Sequence, residues 1–472
     1  MQSRRDQVQA YFFVVGRLFS ALIHGKPDIL EPPTRRFTTG VTLGAMAAVL
    51  LVGIFALIGI LKPGGGTQAW RSPGTVIVDK DTGARFLFLD GKLRPVLNFS
   101  SAKLAASAGG GGRGSAPVQQ VSANALTGVP VGTPIGIPGA PDGIPQPDRL
   151  DKGAWTTCVA SANPQTVTLL LGQQPGAPMT EAQGLLVSTS DGAKYLLWQG
   201  NRYRLTNATA TAALGFNGIT PIAVPANWLN PIPSGRDITL PAIGGTGSRG
   251  PTIGGNRSVV GQIYEVRNPA LGTDQVFVVR PDGLAPLNRT TEALLLASPG
   301  TKAAYPGTDV APIALAPGAL AGVPTSANTA DLAGYPSPLP SLLNGSLPPD
   351  TQPCVRYDLA GNKAAAFLTM PTPAVNALAA KTGQHVAGTT VDQVAIPAGS
   401  GVLARDLPTP GANPGTEFLV TDFGVKFPLA AGASAALGYG AGSAVDVPNR
   451  LLALLPTGPV LSSTAALAEG TP

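Results

Sequence analysis

The sequence predicts a single-pass membrane protein: a cytoplasmic amphipathic helix, one transmembrane helix, and an extracytoplasmic β-rich α+β region of repeated hairpin-plus-helix units around a central β core. Three observations predict this class. Residues 38–61 carry no charge and no proline. Charged residues make up 12% of the chain, about half the usual share in soluble proteins. Similar segments with turn and helix signals recur four times after residue 75.

The composition favours folded modules joined by glycine- and proline-rich connections. The 472 residues include 60 glycines and 47 prolines, yet 44% are hydrophobic, which is enough for sizeable cores. The net charge of +6 is concentrated before residue 63, where seven Lys/Arg stand against three acidic residues. The later part has no clustered basic surface of the kind that nucleic-acid binding requires. We therefore expect no nucleic-acid partner.

Residues 1–37 predict a cytoplasmic helix with one apolar stripe and a basic tail. Ser3 and Asp6 fit a capping box, and Gly25 and Pro27 are expected to end the helix. Such a stripe must be buried, either against a partner protein or against the membrane surface. We predict docking on a partner, with lipid headgroups of the bilayer as the alternative. The stripe residues, spaced as one helix face, are Val8, Tyr11, Phe12, Val15, Leu18, Phe19 and Leu22.

Residues 38–61 predict one transmembrane helix. At 1.5 Å per residue, they are long enough to cross a hydrocarbon core of about 30 Å. A cleaved signal peptide is the alternative, but its apolar region would be shorter and nearer the start of the chain. Arg35 and Arg36 directly precede the span and only Lys62 directly follows it. The positive-inside rule therefore places the N-terminus in the cytoplasm, the C-terminal region outside, and the chain in the cell (inner) membrane.

The outer part is predicted to contain four related units joined by unequal inserts. Short β-rich runs flank glycine-containing turns, and in three units an Asn-x-Ser/Thr follows that can cap a short helix. Two copies share a tail, at 224–235 and 447–458. The predicted divisions are a linker at 62–75, the outer region at 76–460 with core segments between its units, and a tail at 461–472. The predicted units are 76–107, 186–216, 264–298 and 418–442.

Two cysteines, Cys158 and Cys354, both lie in the predicted outer part. In an oxidising compartment this pair predicts a disulfide, with two free thiols as the alternative. The two histidines, His24 and His385, fall on opposite sides of the predicted membrane span. We therefore expect no metal site and no catalysis that depends on histidine.

The chain has no sequence signal for a nucleotide site. A P-loop requires Gly-Lys-Ser/Thr after a glycine-rich turn. The only Gly-Lys is Gly91-Lys92, which is followed by Leu, and the glycine-rich residues 244–250 contain no Lys. Asp79 and Asp81 resemble a carboxylate pair, but their place in a repeated hairpin predicts a turn. We expect no enzymatic activity and no cofactor.

The N-terminal RRDQVQAYFFVVGRLFSALIHG is followed by PDILEPPTRR, and GKLRPVLNFSSAKL lies in the predicted outer part. Residues 136–141, 155–158 and 421–429 are further landmarks in the same order along the chain. Together these segments resemble the EccB family, single-pass membrane subunits of the type VII (ESX) secretion machinery of actinobacteria. Gly16-Arg17 departs from the two adjacent basic residues usual in the family.

The resemblance implies a scaffold role in an inner-membrane complex that exports proteins. The partners it implies are the motor ATPase EccC, the multi-span protein EccD and other copies of this chain. It also implies small repeat domains that flank a β-rich core held by a disulfide. Two alternatives stay open: a cell-wall anchor that binds peptidoglycan, because the family's repeats are likened to a wall-binding fold, and an ATP-hydrolysing subunit, because the family is often labelled so.

Overall fold

The computed structural model describes residues 4–25, 34–61, 68–110, 116–160, 165–172, 176–268, 273–359, 365–381, 389–409 and 411–470. The chain divides into two compact units. The first comprises residues 1–72, 79–83 and 120–129, and the second comprises 73–78, 84–119 and 130–472. The residues predicted to cap and end the first helix, Ser3 and Pro27, and the basic residue after the span, Lys62, lie outside the described residues.

Two long helices begin the chain, α1 (Arg4–His24) and α2 (Thr34–Leu61). Gly25 follows α1 with φ of 64°, a left-handed conformation that glycine adopts readily at a helix C-terminus. Within α2, Phe37–Leu57 is long and apolar enough to cross a membrane, and it is the one such stretch among the described residues. The predicted span at 38–61 therefore falls within one uninterrupted helix.

The rest of the chain consists of four small modules and a central sheet. Module 1 contains β1 (Val76–Asp79), β2 (Arg85–Leu89), β3 (Lys92–Pro95), α3 (Phe99–Gly110), β4 (Val118–Val121) and α4 (Ala123–Leu126). Three strands of the central sheet follow, β5 (Trp155–Ala160), β6 (Thr166–Leu171) and β7 (Ala177–Pro178). Module 2 contains β8 (Gln183–Ser188), β9 (Lys194–Trp198), β10 (Asn201–Leu205), α5 (Ala208–Ala213), β11 (Ile222–Ala223) and α6 (Ala226–Leu229).

A separate hairpin, β12 (Arg249–Ile253) and β13 (Asn256–Val259), precedes module 3. Module 3 contains β14 (Ile263–Asn268), β15 (Thr273–Arg280), β16 (Gly283–Leu287), α7 (Arg289–Leu296) and β17 (Ile313–Leu315). Next come β18 (Ser341–Leu342), which pairs with β8, and the central elements β19 (Thr351–Tyr357), β20 (Ala366–Pro371), α8 (Thr372–Leu378), β21 (Ala380–Lys381) and β22 (Gln393–Ala395). Module 4 contains β23 (Gly401–Leu407), β24 (Glu417–Thr421), β25 (Lys426–Pro428), α9 (Ala433–Leu437), β26 (Val445–Pro448) and α10 (Asn449–Leu452), and α11 (Ser463–Leu467) follows.

The four modules share one strand order. In each, three antiparallel strands precede a helix, and a fourth strand returns beside the first: β3-β2-β1-β4, β10-β9-β8-β11, β16-β15-β14-β17 and β25-β24-β23-β26. The fourth strand is parallel to the first in modules 2, 3 and 4. The sheet of module 4 starts at Gly401, upstream of the predicted unit 418–442. That the units are copies of one ancestral sequence stays a prediction.

The asparagines predicted to cap helices do so in three modules. The side-chain oxygen of Asn98 accepts from the Ser101 N–H at 3.0 Å. Asn207 and Asn288 cap α5 and α7 in the same way, each at 2.7 Å. These caps satisfy backbone donors that the first turn of a helix leaves free.

A short segment closes each module along its third strand. In module 2, the Arg202 N–H donates to the Pro233 carbonyl at 2.8 Å, and the Gly235 N–H donates to the Arg202 carbonyl at 2.9 Å. We call residues 130–132, 233–235, 324–326 and 456–458 the closing segments. The same two backbone hydrogen bonds recur in the other modules. They join Leu93, Pro130 and Gly132 in module 1; Leu284, Pro324 and Ser326 in module 3; and Lys426, Pro456 and Gly458 in module 4. The two tails that match in sequence, 224–235 and 447–458, therefore contain two of the four closing segments.

Modules 2 and 4 bury both faces of their sheets. In β23, Val402 and Ala404 belong to the core shared with the central sheet, whereas Leu403 belongs to the core shared with module 1. In β8 the same alternation places Leu186 in a core shared with module 3. Because successive side chains of a strand point to opposite faces, one strand contributes side chains to two hydrophobic cores.

The central sheet has seven strands in the order β21-β22-β6-β5-β19-β20-β7. Cys158 on β5 and Cys354 on β19 are direct cross-strand neighbours, with Cα atoms 4.1 Å apart, and they form a disulfide. Both cysteines are buried beside Met370 and Val375. The predicted disulfide is confirmed.

Residues 461–470 are an integral part of the fold rather than a free tail. Leu461 and Ala466 are fully buried in the core shared by modules 1 and 4. Ser462 caps α11 by accepting from the Ala465 N–H at 3.0 Å, and the Gly136 N–H donates to the Ala468 carbonyl at 3.2 Å. The sequence did not predict this because α11 is short and consists largely of alanine.

Replacing Cys158 and Cys354 with Ser should lower the stability of the outer region. The disulfide closes a loop with a sequence separation of 196, and the chain-entropy model gives roughly 5 kcal/mol for it. The thermal unfolding midpoint of the purified full chain in neutral detergent measures the effect. Wild-type protein treated with a reductant should unfold at the midpoint of the double variant, and equal midpoints for oxidised and reduced wild type would refute the prediction.

Gly458→Ala should destabilise module 4 by about 1–3 kcal/mol through overpacking. A Cβ atom at Gly458 would lie 2.3 Å from the ring of Phe427, which is buried. Gly440→Ala is the matched control, because the nearest atom to its Cβ would be 4.0 Å away. The two unfolding midpoints should differ. A Gly458→Ala midpoint equal to that of the control would show that the closing segment tolerates the methyl group.

Candidate functional surfaces

The seven predicted docking residues all lie exposed on α1. Their exposed fractions run from 40% for Val15 to 77% for Leu22. Phe13 and Val14, which the predicted stripe omits, are exposed as well. The apolar surface is therefore wider than the helical spacing suggested, since that spacing selects only one face. The prediction that this surface docks on a partner stays a prediction.

Aromatic and basic groups lie side by side on α1. Tyr11 and Phe12 pack edge to face with ring centroids 6.0 Å apart. The guanidinium carbon of Arg17 lies 5.8 Å from the centroid of the Phe13 ring. Such a surface offers ring faces and positive charge together, which suits either a protein groove or a lipid headgroup layer.

The carboxylates of Asp79 and Asp81 are occupied by local hydrogen bonds. Asp79 accepts from the Thr82 hydroxyl at 2.6 Å and from the Asp81 N–H at 3.0 Å. The Thr82 hydroxyl is the main reason that the pKa of Asp79 lies below its usual value. Asp81 accepts from the Ala123 N–H at 3.0 Å. The predicted turn is confirmed.

The glycine-rich residues 244–250 form turns in which hydroxyl groups of the same segment donate to backbone carbonyls. Thr246 donates to the Ile243 carbonyl and Ser248 donates to the Gly245 carbonyl, each at 2.6 Å. Gly91 occupies the β2–β3 hairpin turn with φ of 75°. Among the described residues, no group of three or more His, Cys, Asp or Glu could hold a metal ion.

A cavity of about 830 Å³ lies between the central sheet, module 2 and module 4. Two acids line it, Asp358 and Asp446. Asp358 lies 3.5 Å from Arg356 and Asp446 lies 2.8 Å from Arg405. Both carboxylates are therefore paired with arginine.

Positions 202 and 426 are equivalent in the closing-segment pattern, but their side chains differ in environment. The Lys426 ammonium is buried and donates to the Leu452 and Leu455 carbonyls at the end of α10. Burial lowers the pKa of Lys426 to about 8, and Asp406 acts in the opposite direction. Arg202 instead donates to Ser234 at 3.2 Å, at the surface. Lys426 therefore anchors the end of α10 in module 4, whereas Arg202 at the equivalent position of module 2 is a cation at the surface.

These features define a class of protein: a chain with one membrane-spanning helix and a disulfide-linked, multi-module β-rich region. The chain belongs to the EccB family, because the family model described as "Type VII secretion system ESX-1, transport TM domain B" matches residues 1–471. The resemblance noted from the sequence is confirmed.

Two similar relatives carry ATPase names. The "ESX-2 secretion system ATPase EccB2" of Mycobacterium tuberculosis strain H37Rv is 27% identical over 500 residues, covering 98% of this chain and 94% of the relative. The "ESX-3 secretion system ATPase EccB3" of Mycolicibacterium smegmatis is 29% identical over 496 residues, covering 98% and 90%. This chain therefore spans nearly the full length of both relatives.

Two similar solved structures share the fold. A chain of an intact ESX-5 inner membrane complex superposes with a TM-score of 0.71 at 23% identity, covering 100% of this chain and 96% of that chain. An EccB3 dimer from the ESX-3 core complex gives a TM-score of 0.68 at 24% identity, with 83% and 99% coverage. The fold likeness thus extends over the whole of this chain in the first structure and over most of it in the second.

Proposed function

We propose that this chain is a scaffold subunit of a type VII secretion inner-membrane complex and takes part in protein export across the membrane. The observation that carries the proposal is the fold likeness over 100% of this chain to a subunit of an ESX-5 inner membrane complex. Family membership over residues 1–471 supports the same role.

The N-terminus is placed in the cytoplasm and the modules outside. The basic residues around α1 and before the span support this orientation through the positive-inside rule. The disulfide between Cys158 and Cys354 also supports it, because disulfides persist in oxidising compartments and are rare in the cytosol.

The apolar surface of α1 is assigned to docking on the cytoplasmic parts of EccC-like and EccD-like subunits. Exposed aromatic and aliphatic side chains at this density are costly in water, so a covering surface is required. A second copy of the chain is a further partner of the outer modules, as supported by the likeness to an EccB3 dimer.

The scaffold role is proposed to be non-catalytic, although similar relatives are named ATPases. The sequence has no Gly-Lys-Ser/Thr to bind nucleotide phosphates and Mg²⁺. An outward-facing region would also lack a supply of ATP.

Tagged full chain, purified in mild detergent, should bring down EccC-like and EccD-like proteins. Phe12→Glu with Leu18→Glu should abolish this co-purification, because two charges on the apolar surface cost several kcal/mol on burial. Mass spectrometry of the purified complex measures the result.

The matched control replaces Arg4, Arg5 and Lys26 with Gln. These changes should weaken attachment to lipid headgroups but leave the complex largely intact. Docking through the apolar surface is wrong if the glutamine variant loses both partners while the glutamate variant, inserted normally, keeps them. The scaffold proposal itself fails if wild-type chain brings down neither partner.

Purified full chain, free of EccC, should hydrolyse ATP no faster than a boiled sample. Phosphate release at increasing chain concentrations measures the rate. A rate that scales with chain concentration and survives further purification would contradict the non-catalytic role.

A further inference from the structure

A cleft of about 510 Å³ lies where module 2 meets module 4. We call it the inter-module cleft. Its lining includes Arg202, Asn227 and Asn230 from module 2, and Arg450 and Ala453 from module 4. Arg450 is exposed and Arg202 is half-buried. The cleft is thus open to solvent and bordered by two guanidinium groups.

The two matching tails contribute corresponding positions to this cleft. In the alignment of residues 224–235 with 447–458, Asn227 corresponds to Arg450 and Asn230 to Ala453. The short helices α6 and α10 therefore present equivalent surfaces to one cleft. The corresponding positions nevertheless carry different side chains. Arg450 corresponds to Asn227, and Arg202 corresponds to Lys426.

Both arginines converge on one residue, Asn230. Arg202 donates to its side-chain oxygen at 3.3 Å, and Arg450 donates to its backbone carbonyl at 3.4 Å. These acceptors are neutral and the hydrogen bonds are long. No carboxylate of the described residues lies within 4.0 Å of either guanidinium.

The two guanidinium groups influence each other electrostatically. Burial is the largest cause that lowers the pKa of Arg202, and the charge of Arg450 lowers it as well, whereas Tyr195, Tyr357 and Asp237 raise it. Two cations beside one cleft repel each other unless an anion lies between them. A guanidinium fork matches the oxygen spacing of carboxylate and phosphate groups, and two forks suit a group with two negative charges.

We propose that the inter-module cleft binds a phosphate group, held by the guanidinium groups of Arg202 and Arg450. The cleft volume lies within the range of small-molecule sites. The phosphate can belong to a soluble metabolite or to a lipid headgroup, since both present the same oxyanion. Binding would join module 2 to module 4 and stiffen the region around the central sheet. The proposal does not depend on the scaffold role.

Inorganic phosphate is the first probe, titrated into full chain in neutral detergent at constant ionic strength. Wild type should show a saturable rise in its unfolding midpoint, because a ligand that binds only the folded state stabilises it. Isothermal titration calorimetry gives the dissociation constant. Arg202→Gln and Arg450→Gln should each weaken binding by about tenfold, the expected loss for a charge-assisted hydrogen bond.

Arg257→Gln is the matched control, because it removes the same charge from an exposed position on β13, outside the cleft lining. It should bind phosphate as wild type does. Arg450 is exposed, so Arg450→Gln carries the test alone if Arg202→Gln fails to fold. The proposal is overturned if wild type shows no saturable response, or if Arg450→Gln and the control bind phosphate equally well.

A second titration identifies the source of the phosphate group. Short-chain phosphatidic acid, kept below its micelle concentration, replaces inorganic phosphate, with short-chain phosphatidylcholine as its control. Tighter binding of phosphatidic acid that also depends on Arg450 supports a lipid headgroup. Affinity equal to that of inorganic phosphate supports a soluble ligand. Equal binding of both lipids regardless of Arg450 would show that only the acyl chains are recognised, which overturns the proposal.

Discussion

The packing of the four modules and the central sheet depends on two sheets that are each buried on both faces. In module 4, Leu403 and Leu419 face module 1, while Val402 and Val420 face the central sheet. A shift of register by one residue would exchange these two sets. The two cores therefore fix each other's register, and the neighbouring module can pack in only one way. The same constraint acts in module 2, between the central sheet and module 3.

This double burial explains why the closing segments matter. A sheet with a core on each face has only its edges free, and exposed edges invite pairing with other chains. Each closing segment covers the third strand of its module, and a glycine at 235 or 458 lets the backbone approach an aromatic ring. The short helices α6 and α10 are positioned directly before these segments, so the geometry of the inter-module cleft follows from the packing of the sheets.

Local signals in the sequence were sufficient for some parts of this structure. The uncharged run of α2, the cap at Asn207 and the turn at Asp79 each depend on residues close together in the chain. The disulfide was predictable because only two cysteines exist. By contrast, β23 pairs with strands on both sides, and Leu461 reaches a core shared with module 1. Such contacts depend on distant residues, and no local pattern encodes them.

Most of the polar side chains described above form hydrogen bonds that hold the backbone in place. Thr246 and Asp79 bond within turns, and Lys426 anchors the end of α10. The arginines at 202 and 450 are the exception, because their charges face a cleft and meet only neutral acceptors among the described residues. A cleft between modules is also where a bound ligand acts on the geometry of a scaffold, since an anion held there touches residues of both modules.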